Sequence, residues 1–253
     1  MTNKTTIALI TGASSGIGMA TAKAFATAGI NLIICGRRED KLEALQQELS
    51  GLVKVYTLVF DVRNSKDVLA AIDSLPTEWK AIDILINSAG NAHGLSPVQE
   101  GDIADWDMMI DANVQGLLYV SKAIMPGMVE RQSGHIVNIS SVAGKYTYAN
   151  GAVYCASKKA VEAISEGMRL DLTQHGIRVT NIAPGAVETD FSVVRFKGDK
   201  ERAAKVYEGF TPLTPEDIAD TILYAVKAPK HVTIADVTIY ASAQSAPSTI
   251  YRK

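Results

Sequence analysis

The stretch that decides the fold is Thr6 to Gly18, TIALITGASSGIG. It holds an apolar run, residues 6 to 11, and then three glycines, Gly12, Gly16 and Gly18. A helical pattern over 17 to 29 starts inside the glycine loop and carries the segment MATAKAFATAG, 19 to 29. A buried strand feeding a glycine turn and a helix is the opening unit of a dinucleotide-binding βαβ fold. Glycine makes the tight turn, lets backbone amides approach a pyrophosphate and lets the helix pack close to the strand. The helix start adds oriented N–H groups and partial positive charge. Gly12, Ser14, Ser15, Gly16, Ile17 and Gly18 are therefore expected to line the cofactor's phosphates. A glycine triplet alone is a weak signal, because a plain strand-to-helix turn uses the same residues.

Outward from this unit, β-rich apolar runs recur at 6–11, 30–36, 53–60, 82–87, 134–140, 177–183 and 232–240. Helical patterns lie between them at 17–29, 40–50, 65–74, 103–131, 152–174 and 215–227. Such alternation predicts an α/β fold, a doubly wound seven-stranded parallel sheet with helices on both faces. No Pro/Gly/Ser-rich linker, internal repeat or low-complexity segment divides the chain, so residues 1–253 are read as a single Rossmann domain. Residues 184 to 213 form the longest irregular stretch and are expected to act as a substrate loop or lid, with a C-terminal tail from 241.

The chain has 253 residues, 47% of them hydrophobic, enough for a substantial core. Its formal net charge of −2 gives no sign of a nucleic-acid partner or an electrostatically held membrane surface, and fits an enzyme of small molecules. Cys35 and Cys155 show no disulfide or zinc spacing, and His93, His135, His175 and His231 are scattered, so no metal site is expected. His93 is expected on a loop or at the surface, with the pocket wall as the alternative. No signal-peptide pattern and no membrane-length apolar run is present, and a cytoplasmic location is the default expectation.

An NAD-type cofactor calls for Asp or Glu at the end of the second strand, roughly 20 residues after the glycines. This chain has Cys35, Gly36, Arg37 and Arg38 there. Two guanidinium groups suit a 2′-phosphate, because Arg makes forked, charge-assisted bonds to phosphate oxygens. NADP is therefore expected rather than NAD; an exposed basic helix start is the plainer alternative. Asp61 and Val62 close the third strand, where the adenine would lie. Asn87, Ala89 and Gly90, in NSAG at 87–90, close the fourth and leave room for the cofactor.

Tyr154 and Lys158 stand four residues apart in AVYCASKKA, 152–160. Residues at that spacing lie above one another on a helix face. A nearby ammonium would favour the phenolate and lower the tyrosine pKa, giving an acid–base group near neutral pH. An isolated Tyr-x-x-x-Lys is more often a packed ring and a solvated charge, and its company decides the matter: Ser141 ends the fifth strand, and Asn113 lies on the long preceding helix.

With TGASSGIG, NSAG, NVQG (113–116), Ser141, YCASK (154–158) and Pro184-Gly185 in order, the chain resembles the short-chain dehydrogenase/reductase family over essentially its whole length. The resemblance implies Tyr154 as general acid/base, Lys158 as its pKa-lowering partner on the nicotinamide ribose, Ser141 as orienter of the substrate oxygen and Asn113 as holder of a relay water. It also implies cofactor contacts from Tyr154, Lys158, Pro184, Gly185, Val187 and Thr189. NSAG departs from the more frequent NNAG of the family.

VRFKGD (194–199), LTPEDIA (213–219) and the ending VTIYASAQSAPSTIYRK (237–253) resemble the NADP-dependent 3-hydroxy-acid dehydrogenase branch, which acts on serine, allo-threonine and 3-hydroxyisobutyrate and reduces aldehydes such as malonic semialdehyde. AIMPGMVERQSGHIVNISS (123–141) fits the same branch. A substrate carboxylate would suit an arginine fork, which makes Arg195 the candidate substrate-binding residue beside Ser141 and Tyr154, with Lys197 second. Charges that merely solvate the loop are the alternative. Another carbonyl substrate, 3-ketoacyl or general aldehyde and ketone, or a non-catalytic NADPH-binding regulator, are the competing functions; the regulator would need Lys158 at most. Helix 152–174 is apolar over more than one face, and the resemblance implies a homotetramer through it.

Overall fold

The computed structural model describes residues 6 to 253. Seven parallel strands run in the order β3-β2-β1-β4-β5-β6-β7: β1 Ile7–Thr11, β2 Asn31–Gly36, β3 Val55–Val59, β4 Ile84–Asn87, β5 Gly134–Ile139, β6 Ile177–Pro184 and β7 Asp236–Ile239. The expected single-domain α/β fold is the one observed, and the strand order reverses between β1 and β4, where Ala8 pairs Ile84 and Ile10 pairs Ile86. Doubly wound sheets place ligands beyond the carboxyl ends of the strands at such a switch point.

Alternation along each strand builds two cores. Leu9, Ile33, Leu85, Ile136 and Val179 face helices α3 (Ser65–Asp73), α5 (Leu117–Glu130) and α7 (Ala152–Leu172). Their neighbours Ile10, Ile34, Ile86 and Val137 face α1 (Gly16–Thr27), α2 (Glu39–Leu49) and α10 (Pro215–Lys227). Because successive side chains leave a strand on opposite faces, both faces are apolar and the runs read as continuously hydrophobic. Phe25, fully buried on α1, contributes roughly 1.5–3 kcal/mol of transfer free energy. Thr214 caps α10 by accepting from the Asp217 N–H, and the Asp217 carboxylate accepts in return from the Thr214 N–H, with Pro215 in the first turn.

The long helix expected over 103–131 is continuous but changes pitch. Helix α4 (Ile103–Ile110) passes through a π turn, Asp111–Gly116, into α5. The extra residue of a π turn is common at functional sites, and this one carries Asn113. Residues 184–213, expected to be irregular, hold two short helices, α8 (Phe191–Arg195) and α9 (Lys200–Lys205). A further short helix, α6 (Val142–Lys145), follows β5. The tail folds back on its own chain as a hairpin, β8 (Gln244–Ala246) with β9 (Thr249–Ile250). There Gln244 accepts from the Ala186 N–H at 2.8 Å, and Lys253 donates its N–H to Gly209. Among the described residues no helix is long and apolar enough to cross a membrane.

Candidate active site

The glycine loop and the β4 turn are joined through Thr11, whose Oγ1 accepts from the N–H groups of Ser88 (3.1 Å) and Ala89 (3.0 Å). Gly12 is left-handed (φ +68°), and a Cβ there would lie 2.9 Å from the Ala89 Cα, so only glycine lets the two loops touch. Ser15 caps α1 without a side-chain bond. The first-turn amides of Gly16, Ile17 and Gly18 have no partner within the helix, the arrangement that receives a phosphate. Thr189 stands across the groove, its Cγ2 3.4 Å from where a Gly16 Cβ would be. These residues fit a dinucleotide's pyrophosphate.

At the end of β2, Arg38 donates to Ser14 Oγ (3.0 Å) and Ser15 Oγ (2.8 Å). Arg37 is exposed, 3.8 Å from the Asp61 carboxylate. Burial pushes the Asp61 carboxyl up, but the bonds from Arg63 and the two guanidinium charges outweigh it and hold the group below the usual carboxylate range. Asp61 thus stays anionic while Arg37 and Arg38 line the rim. Val62 closes the gap beneath, 2.7 Å from a hypothetical Gly116 Cβ. Asn87, expected among the cofactor residues, ends β4. Its side chain turns into the protein and donates to Ser121 Oγ and Asn138 Oδ1, each at 2.9 Å. Ala89 and Gly90 remain at the groove beside it.

The four residues singled out for chemistry converge where β5, α7 and the π turn meet. A Cβ at Gly90 would lie 2.9 Å from Asn113 Oδ1 and 3.4 Å from Lys158 Nζ, so this glycine marks the point that both side chains address. Asn113 is fixed by accepting from the Asn91 N–H (2.8 Å) and donating to Asn91 O (2.9 Å) and Ser157 Oγ (3.0 Å). Ser157 in turn donates to the Tyr154 carbonyl. Ser141 caps α6, accepting from the Ala143 N–H. Lys158 is buried and donates to Ile139 O at 2.9 Å; burial lowers its pKa to about 8.

Burial dominates the Tyr154 phenol. Enclosure of the Tyr154 ring pushes its phenol well above the ordinary tyrosine value; a hydrogen bond with Ser141 and the Arg195 charge pull the other way and lose. The chain's own geometry therefore holds Tyr154 protonated at neutral pH.

Arg195 ends α8, and its guanidinium carbon lies 5.4 Å from the centre of the Tyr154 ring. It donates to the Tyr148 hydroxyl at 2.8 Å and through Nε to Gly94 O at 3.3 Å. A pocket lined by His93, Asp105, Trp106, Met109, Tyr154 and Arg195 opens between them. His93 is thus in the pocket wall, and burial lowers its pKa, with the Asp105 charge opposing. Lys197, the second candidate for a substrate carboxylate, is instead engaged by Asp105 (3.0 Å) and Asp102 (3.4 Å). Tyr148, Phe191 and Trp106 around this pocket carried no recognisable spacing; they gather because three different strand-to-strand connections meet there.

A family model described as short chain dehydrogenase matches residues 6–200. The chain belongs to the short-chain dehydrogenase family. It is 46% identical over 240 residues to the NADP-dependent 3-hydroxy acid dehydrogenase YdfG of Salmonella typhimurium, covering 94% of this chain and 96% of that one. It is 44% identical to sulfoacetaldehyde reductase 2 of Chromohalobacter salexigens, covering 94% and 95%. The structure described as the closed form of serine dehydrogenase complexed with NADP+ superposes with a TM-score of 0.92 at 42% identity, covering 98% of this chain and all of that one.

The short-chain dehydrogenase identity expected from the motifs is thus established, and the serine and 3-hydroxy acid branch is the one its relatives represent. Pro184 ends β6 and Gly185 donates its N–H to Ile239 O, while Val187 forms a bridge with Leu213. Together they carry the chain from the sheet edge towards Thr189 and Arg195.

Proposed function

We propose that this short-chain dehydrogenase transfers a hydride between NADP(H) and a small 3-hydroxy acid or its carbonyl product, of the serine, allo-threonine, 3-hydroxyisobutyrate or malonic semialdehyde type. The observation that carries the reading is the Arg195 guanidinium 5.4 Å from the Tyr154 ring, in one pocket. This puts an anion receptor about one small molecule away from the proton-transfer phenol. NADP follows from the paired Arg37 and Arg38 at the groove rim, and the names of the relatives support it.

Bound along the glycine loop, the nicotinamide dinucleotide supplies the hydride chemistry. The chain's residues manage the rest. Tyr154 exchanges the proton of the substrate oxygen, and Ser141 hydrogen-bonds the same oxygen, where charge develops. Lys158 supplies positive charge beneath the phenol and, with Asn113, addresses the point beside Gly90 where a relay water would sit. Arg195 fixes the acid group so that the hydroxyl-bearing carbon presents itself to Tyr154.

The Arg195 fork would hold a sulfonate by the same geometry, and the likeness to a sulfoacetaldehyde reductase favours testing it. A panel of 3-hydroxy acids, sulfoacetaldehyde and uncharged alcohols, followed by nicotinamide absorbance in both directions, tests the proposal. Turnover of the acids over the uncharged alcohols is expected. No turnover across the panel would favour a cofactor-binding regulator. Ala156 and Leu170 on α7 and Leu118 on α5 are exposed, which supports a homotetramer built on these helices; a cytoplasmic location belongs to the same reading.

A further inference from the structure

We infer that the ion pair between Lys197 and Asp105 is a latch that holds Arg195 over Tyr154, making both members positioning residues for acidic substrates. The inference rests on the reading of Arg195 as the carboxylate receptor. Four contacts converge on Arg195 and Lys197 at the end of α8. Arg195 accepts from the Gly94 N–H at 3.0 Å through its carbonyl and donates through Nε to Gly94 O at 3.3 Å. Two residues on, Lys197 Nζ lies 3.0 Å from Asp105 Oδ1 and 3.4 Å from Asp102 Oδ2.

The two clamps share one support. Gly94 is left-handed (φ +68°), and a Cβ there would lie 2.9 Å from Asp105 Oδ2, so the strand of chain that clamps Arg195 rests directly against the carboxylate that clamps Lys197. Asp105 is buried, with 6% of its surface exposed. A carboxylate so enclosed is costly without a cation. Lys197 reaches it from an exposed turn with φ +54°, followed by Gly198 at +97°. A non-glycine residue keeps that conformation where its surroundings impose it. Lifting the turn would strip Asp105 of this cation and release the Arg195 clamp with it, so the charge on Asp105 favours the position of Arg195 seen here.

The test uses the full-length enzyme with 3-hydroxyisobutyrate and its methyl ester, which keeps the hydroxyl and removes the charge. Lys197→Met and Asp105→Asn are expected to raise KM for the acid roughly three- to ten-fold, as for a half-exposed ion pair. In Lys197→Met, turnover of the acid at saturation and kcat/KM for the ester should stay unchanged. Lys197→Arg, which keeps the charge, should hold KM within about two-fold of the parent. Amide hydrogen exchange over residues 191–199 should quicken in Lys197→Met. An unchanged KM, equal losses on acid and ester, or a Lys197→Arg loss as large as that of Lys197→Met overturns the latch. Arg195→Ala, measured in parallel, separates the two proposals. If it distinguishes acid from ester and Lys197→Met does not, the latch alone falls. If it fails to distinguish them while exchange still quickens in Lys197→Met, the substrate reading falls and the ion pair remains a loop anchor only.

Discussion

Arg195 hydrogen-bonds the Tyr148 hydroxyl at 2.8 Å with its guanidinium carbon 5.6 Å from the centre of that ring, and the same group lies 5.4 Å from the centre of the Tyr154 ring. One cation is therefore held between a tyrosine that positions it and a tyrosine placed for proton transfer. Tyr148→Phe keeps the ring contact and removes the acceptor. The loss of one charge-assisted bond at a half-buried site, about 1.5 kcal/mol, predicts a rise in KM for hydroxy acids of about ten-fold with kcat nearly unchanged. Steady-state kinetics check this, and an unaltered KM would detach Tyr148 from substrate recognition.

Tyr154 gives a directional pH expectation. Because burial raises its phenol, the group must lose a proton before it can accept one from an alcohol, and already carries the proton that a carbonyl needs. Oxidation of a hydroxy acid should accelerate as pH rises from neutral, while reduction of the matching aldehyde should stay level there. Tyr154→Phe should lower turnover by about a thousand-fold in both directions with cofactor binding retained, measured by nicotinamide fluorescence titration. Matching pH profiles for oxidation and reduction would contradict this assignment.

The sheet and the residues on its regular elements were legible because each depends on local pattern. Leu9 and Ile10 belong to different cores yet to one apolar run, and Tyr154 and Lys158 fall on one helix face by spacing alone. Local pattern does not report that the Asn87 side chain, expected beside the cofactor for its place in NSAG, joins Ser121 and Asn138 inside the protein. Nor does it report the enclosure that raises the Tyr154 phenol, which comes from Tyr148, Phe191 and the loops above, none of them near in pattern. The junction of Gly94, Asp105, Arg195 and Lys197 spans about a hundred residues of chain, and no periodicity reports it. The π turn at Asn113 was hidden for a related reason, since one extra residue barely alters the apolar rhythm of 103–131.

Lys158 couples function to stability. Its pKa falls from 10.5 to about 8 on folding, so the folded chain carries a buried charge at a cost that is complete below pH 8. That cost disappears as pH rises towards 10.5, where the unfolded chain also loses the proton. The shift corresponds to roughly 3–4 kcal/mol. Lys158→Met removes it but leaves Ile139 O without its donor, which returns about 1 kcal/mol. The variant should therefore be inactive yet more stable than the parent by about 2–3 kcal/mol at pH 7, with the margin shrinking between pH 8 and 10.5. Urea unfolding at several pH values reads this out, and a parent chain that is the more stable at pH 7 would rule it out.

Cofactor choice turns on Arg37 and Arg38, which differ in what they already hold. Arg38 is tied to Ser14 and Ser15, whereas Arg37 is exposed with Asp61 at 3.8 Å as its ion-pair neighbour. Arg37 is thus the freer fork for a 2′-phosphate, and Arg38 fixes the loop on which that phosphate would rest. Arg37→Asp removes a charge-assisted partner of about 1.5–3 kcal/mol and sets a carboxylate at the end of β2, where a 2′-hydroxyl is recognised. KM for NADP should rise about ten- to a hundred-fold and NAD should become usable. Arg38→Ala should weaken both cofactors, because Ser14 and Ser15 border the pyrophosphate common to each. Kinetics with NADP and NAD on the two variants separate these roles. An unchanged NADP preference in Arg37→Asp would remove the guanidinium pair from the account of cofactor selection.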